Sequence, residues 1–382
     1  MPRRAFLSLA SAGLLPDLAT AAILRVGPER AVATLAQAAA QASANTVIEV
    51  DAGTYRGDVA VWTQPRIALR AVGGRVRLIA DGRSADGKGI WVVRSDGMIV
   101  EGFDFEGARV PDGNGAGIRL DRGALTVRDC SFLRNEMGLL TGNDPATSLR
   151  IEHSEFAHNR RRGRFTHQLY AGSIHRLTVI GCYFHHGNGG HLLKTRAALN
   201  HIRYSRLTDD GGSASYELEF PDGGTALVVG NVIGQGDGTE NRRLVAFGAE
   251  GYKHPSNELV LTHNTLVDAL PAGGEFLHVR PAQVRVRAFN NLLVGRFPPA
   301  FDVFDPRAGN RFVPLGQWRH LADAQHRPGP DLVAPAVPLD QALVDGSSLQ
   351  PTHWYEHPRR TQPLASAARV AGAMPRRVPR PR

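Results

Sequence analysis

The sequence predicts an all-β protein, a parallel β-helix solenoid with an N-terminal capping helix and an irregular C-terminal cap. Three observations carry this. A short phrase recurs at a period of 23 to 33 residues, glycine is abundant at 42 of 382 residues, and no long helical pattern interrupts the repeat.

The phrase is an aliphatic residue, two spacers, a small residue or Asn, one spacer, then a large apolar residue. It reads Val127-x-x-Cys130-x-Phe132, Ile151-x-x-Ser154-x-Phe156, Val179-x-x-Cys182-x-Phe184, Ile202-x-x-Ser205-x-Leu207, Val228-x-x-Asn231-x-Ile233 and Leu261-x-x-Asn264-x-Leu266, with weaker copies ending at Phe105 and Leu293. A unit this short cannot close its own core, but stacked units bury a continuous one. A second phrase follows about ten residues later, as in Gly117-Ile118-Arg119-Leu120, Gly138-Leu139-Leu140-Thr141 and Tyr216-Glu217-Leu218-Glu219. One repeat is therefore one coil with a strand on each face. Equivalent positions stack about 4.8 Å apart as interior ladders. Cys130 and Cys182 then lie two coils apart, about 9.6 Å, beyond the reach of a disulfide. Both are expected to be free, buried thiols.

Upstream, Thr34 to Ala42 is rich in Ala and Gln and reads as a short helix. The strand Thr46-Val47-Ile48-Glu49-Val50 and the turn Asp51-Ala52-Gly53-Thr54-Tyr55 follow. A helix there would cap the open first coil. From about Phe301 the repeat fades into Pro-rich sequence. The predicted organisation is an export signal at 1–21, the solenoid at 22–300, a C-terminal cap at 301–374 and a disordered basic tail at 375–382.

Composition limits the function. Hydrophobic residues make up 42% and charged residues 21%, enough for a folded core. No apolar run approaches the 18 or so residues of a membrane span. Arg3-Arg4 before an apolar stretch, with Ala19-Thr20-Ala21 behind it, reads as an export signal. The stretch Pro2-Arg3-Arg4-Ala5-Phe6-Leu7 resembles the twin-arginine type, with a Sec signal as the alternative. The protein is thus expected in the periplasm or outside the cell, as a monomer and without a nucleic-acid partner. The net charge is +9. Four arginines sit in the tail, and Arg160, Arg161, Arg162 and Arg164 form a dense loop. Only Lys88, Lys194 and Lys253 are lysines.

The helix, the T-V-I-E-V-D-A-G-T-Y segment and the coil phrases together resemble the secreted pectate-lyase-like superfamily, over about residues 27–300. That resemblance implies a right-handed β-helix. It leaves activity open, since the superfamily holds lyases, hydrolases, epimerases, esterases and adhesins.

The repeat also suggests a site. Tyr170, Lys194 and Glu217 are 24 and 23 residues apart, His167 and His191 are 24 apart, and Arg196 and Glu219 are 23 apart. If coils stack in that register, Tyr170, Lys194 and Glu217 form one outward column and Arg196 and Glu219 a second. Eliminative cleavage of a uronic-acid polymer needs a neutralised sugar carboxylate, a base for the C5 proton and an acid for the O4 leaving group. The sequence assigns Lys194 as base, Tyr170 or His191 as acid with His167 nearby, and Arg196 as a carboxylate clamp. Glu217 and Glu219 are candidate Ca²⁺ ligands. Tyr216 and the arginine loop are candidate contacts to the polyanion. Asp222 and Glu250 could rim the groove. The arrangement resembles β-helix lyases acting on alginate or glycosaminoglycans, in which Lys and Arg stand beside paired acidic Ca²⁺ ligands. In those families Ser follows the Lys, whereas here Thr195 does. The expected partner is an acidic polysaccharide, most simply cleaved by β-elimination. The alternatives are a glycoside hydrolase using Glu217 and Glu219, and a non-catalytic polysaccharide-binding or surface protein. A plain salt-bridge ladder, Lys194 to Glu217 and Arg196 to Glu219, is the structural alternative to a site.

Overall fold

A computed structural model describes residues 22–161, 165–299, 302–321, 334–339, 345–366 and 368–373. The proposed export signal, Arg162, Arg164 and the basic tail lie outside these residues.

Strands pair in parallel, each with its counterpart one coil on, giving a solenoid of about 10 turns. In the central coils three strands make one turn. Leu169–Ala171, Leu193–Thr195 and Leu218–Phe220 stack on one sheet. Arg176–Ile180, Leu199–Arg203 and Thr225–Val229 stack on the second. Tyr183–His185, Arg206–Thr208 and Val232–Gln235 stack on the third.

The recurring phrase marks the corner between the second and third sheets. Asp129, His153, Gly181, Tyr204, Gly230, His263 and Asn290 all adopt left-handed φ, between 46° and 65°, and each immediately precedes the small polar or Cys position. That conformation swings the chain from one sheet into the next, and the following residue turns into the interior. There the expected ladder forms. The Cys130 amide donates to Ser154 Oγ (3.1 Å) and the Cys182 amide to Ser205 Oγ (3.1 Å). The Ser205 amide donates to Asn231 Oδ1 (2.9 Å) and the Asn231 amide to Asn264 Oδ1 (3.0 Å). The ladder continues beyond the expected end, through Asn291 to Asn310. Buried corner amides thereby gain partners that the sheets cannot supply. Two residues on, Phe105, Phe132, Phe156 and Phe184 stack with centroids 5.0, 4.6 and 4.8 Å apart. Cys130 and Cys182 are free and buried, as expected, and burial pushes both thiols up to about 12.

The N-terminal helix spans Leu35–Gln41. Thr34 and Gln37 form a reciprocal capping box, and Asp58 accepts the Leu35 and Ala36 amides at 2.7 and 3.0 Å. The helix buries Leu35, Ala38 and Ala39 over the first coil.

The C-terminal segment runs back along the stack. Its antiparallel hairpin, His353–Glu356 with Arg360–Pro363, buries Tyr355 against Val232 and Ala373. Arg359 donates to Cys130 O (3.1 Å) and Ser131 Oγ (2.8 Å) and pairs with Asp129 (3.3 Å). Farther along, the Gly372 amide donates to Asn290 O at 2.9 Å. No helix of the described residues is long and apolar enough to cross a membrane.

Candidate functional site

The first sheet carries the site. Strand alternation sends Leu169, Leu193 and Leu218 inward and Tyr170, Lys194 and Glu219 outward, in one column. Tyr170 beside Lys194 is the expected pairing. Lys194 beside Glu219 corrects the expected register, which placed Glu217 there. The third-sheet offset is 23 residues (Phe184 to Leu207), whereas the first-sheet offset that follows is 25 (Lys194 to Glu219). Two extra residues enter through the turn carrying Asp209-Asp210-Gly211-Gly212. The expected Arg196–Glu219 column fails for the same reason.

Glu217 is placed differently from the expectation in a second respect. The strand begins only at Leu218, so Glu217 sits at the corner, where alternation no longer holds. Its side chain is fully buried and neither carboxyl oxygen has a hydrogen-bond partner among the described residues. Burial first, then the nearby charges of Asp209 and Asp268, push its pKa well above the usual carboxylate range. Glu217 and Glu219 therefore do not present the paired carboxylates that a Ca²⁺ site requires. Among the described residues no group of three or more His, Cys, Asp or Glu side chains is arranged to hold a metal ion.

The outward groups form a connected cluster. Glu219 Oε2 lies 3.0 Å from His191 Nε2 and 3.1 Å from Lys194 Nζ. Lys194 Nζ also donates to Glu250 Oε1 at 2.8 Å. Arg196 extends three ways, from Nε to Tyr170 Oη (2.9 Å), from Nη1 to Asp222 and from Nη2 to Glu250 (each 2.5 Å). Lys253 Nζ shares Asp222 at 2.8 Å, and His254 Nε2 lies 3.1 Å from Arg196 O. His167 and His191 stack at 4.7 Å, as their spacing predicts, and the His191 amide donates to His167 Nδ1 at 2.9 Å. Tyr216 packs edge-on to His191 with centroids 5.0 Å apart.

These contacts set the charges. Burial pulls the Lys194 ammonium down, but its bonds to Glu250 and Glu219 outweigh that and hold its pKa above the ordinary lysine value. Burial likewise opposes the shift in Glu250, where the hydrogen bonds of Lys194 and Arg196 prevail and bring its pKa to about 2. His167 is pushed well below the ordinary imidazole value, by burial and then by His191, Lys194 and Arg196, so it is neutral.

Asp222 and Glu250, noted only as rim residues, prove to be ion-pair partners within the cluster. Lys253 and His254 join the cluster from a turn that no coil spacing marks. Their turn stacks on the one before it, the Glu250 amide donating to Pro221 O and the Lys253 amide to Asp222 O. Arg160 is exposed. Arg161 pairs with Glu136 (3.2 Å) and donates to Val110 O and Pro111 O, lining an open cleft of about 600 Å³ with Arg109 and Arg160.

No protein-family model and no curated protein sequence matches the chain. The chain does have a right-handed parallel β-helix fold. The crystal structure of pectate lyase Pel9A superposes with a TM-score of 0.51, covering 72% of this chain and 76% of that one at 14% identity. A likeness at that identity concerns the fold.

Proposed function

We propose that the Lys194–Arg196 face binds an acidic polysaccharide and cleaves it by β-elimination. The observation that carries this is that Lys194, Arg196 and Tyr170 stand together on the outward face of adjacent coils, with Arg196 donating to the Tyr170 hydroxyl. The likeness of the fold to a pectate lyase agrees with it. Lys194 and Arg196 would neutralise the sugar carboxylate and so acidify the proton at C5. A lysine held protonated is a poor proton acceptor, so the geometry favours Tyr170 over Lys194 as the base. Arg196 Nε donates to the Tyr170 oxygen and holds it beside the two cations. As the C5–H bond breaks, its electron pair forms the C4=C5 double bond. The C4–O bond breaks, and the departing oxygen takes its proton from water in the groove, since His191 is held through Nε2 by Glu219 and its Nδ1 is buried. Arg160 and Arg161 would hold further acidic sugars. The chelator arm of the screen reads any Ca²⁺ dependence. An exported location, resting on the N-terminal sequence, suits a polymeric substrate.

The test is a screen of purified protein against alginate, pectate, glucuronan and glycosaminoglycans, with and without a chelator. Elimination leaves an unsaturated sugar absorbing near the ultraviolet edge, while a hydrolase leaves only new reducing ends. Tyr170→Phe should then lower kcat about 10²- to 10⁴-fold while polymer binding persists. Polymer binding without turnover in the unmodified protein would leave the non-catalytic reading.

A further inference from the structure

We propose that Glu250 occupies the seat of the ligand's carboxylate, so that an acidic sugar binds by displacing it from Lys194 and Arg196. The inference deepens the acidic-polysaccharide reading and, for its sugar ligand, rests on it.

Each of the two cations is held by two carboxylates. Lys194 touches Glu219 and Glu250, and Arg196 touches Asp222 and Glu250. Glu219 and Asp222 are built into the face, each with a side chain only 4% exposed. Glu250 is the loose partner, 43% exposed, and reaches in from the neighbouring turn. Its two oxygens bridge the cations, Oε1 to Lys194 (2.8 Å) and Oε2 to Arg196 (2.5 Å). That is the arrangement an incoming carboxylate would need. Its amide is fixed to Pro221 O at 3.0 Å, so side-chain rotation alone can vacate the seat. Once it leaves, Glu219 still positions Lys194, and Asp222 and Tyr170 still position Arg196.

The charge count agrees. Lys194, Arg196 and Lys253 face Glu219, Asp222 and Glu250, three cations against three anions. Withdrawing Glu250 leaves one positive charge unmatched, which one ligand carboxylate restores. A neutral or esterified sugar cannot supply it and would leave that one charge unmatched in a partly buried cluster, so Glu250 acts as a filter against uncharged polymers.

The test uses Glu250→Gln and Glu250→Ala in the full chain. The first probe is sodium acetate, compared with sodium chloride at constant ionic strength, with melting temperature as readout. Acetate should stabilise Glu250→Ala and leave the unmodified protein unchanged. The second probe is a series of uronic-acid oligosaccharides and their carboxyl-reduced counterparts. Glu250→Gln should bind an acidic oligosaccharide about tenfold more tightly than the unmodified protein, and the reduced one no more tightly. Acetate that stabilises neither protein, or acidic oligosaccharides that bind the Gln variant equally or more weakly, would overturn the seat. Acetate that stabilises Glu250→Ala while no acidic oligosaccharide binds either protein would keep the seat and remove the polysaccharide reading. Oligosaccharides that bind both proteins alike would keep that reading and remove the seat.

Discussion

Lys194 and Glu219 face each other across adjacent coils, with Nζ 3.1 Å from Oε2, and the same oxygen stands 3.0 Å from His191 Nε2. Glu219 thus holds both a cation and an imidazole in place. Glu219→Gln should bring the Lys194 pKa down, because burial remains while one of two carboxylates is lost. With only three lysines in the chain, the Lys194 ammonium can be followed by NMR titration. Turnover should fall about 10- to 100-fold, the usual cost of losing an orienting partner, with partial recovery in Glu219→Asp. An unchanged Lys194 titration would show that the contact does not hold the charge.

Glu217 gives a prediction of opposite sign to an ordinary acidic ion pair. Its folded pKa lies well above 4.5, so the native state keeps a proton that the unfolded chain releases. Stability should therefore be fully present below about pH 4.5 and decline above it, by about 1.4 kcal/mol per pH unit until the folded value is passed. Glu217→Gln should remove this decline and unfold at higher urea concentration at pH 8 than the unmodified protein. Equal midpoints at pH 8 would show that the carboxyl is solvated or paired in solution.

The corner ladder makes both cysteines inert. Neither is exposed, and burial pushes each thiol up to about 12. Ellman's reagent at pH 8 should find no reactive thiol in the native protein and two after denaturation without reductant. Finding none after denaturation would mean a disulfide and a different stacking of the coils.

The sequence made the ladder legible because each rung uses a short, fixed spacing. Cys130-x-Phe132 and Asn231-x-Ile233 both turn one small and one large residue inward after a left-handed corner. Inside strands that spacing is set by the backbone, so Tyr170 beside Lys194 could be read directly. Turns carry no such rule. Two additional residues around Asp209–Gly212 brought Glu219 beside Lys194, and the corner before Leu218 turned Glu217 out of the site. Asp222, Glu250 and Lys253 enter the cluster from turns as well, which is why the sequence suggested no more than a rim for Asp222 and Glu250 and no place for Lys253. The arginine loop likewise gave a charge density but could not show that Arg161 folds back on Glu136.

Arg359 reaches across 229 residues to the Cys130 carbonyl. Coils can stack one upon another as the chain emerges during synthesis, each needing only its predecessor. The groove beside Asp129, Cys130 and Ser131 has to wait until the hairpin around Arg359 has been made. One flank of an early-formed segment therefore stays bare until a segment more than two hundred residues later has been made.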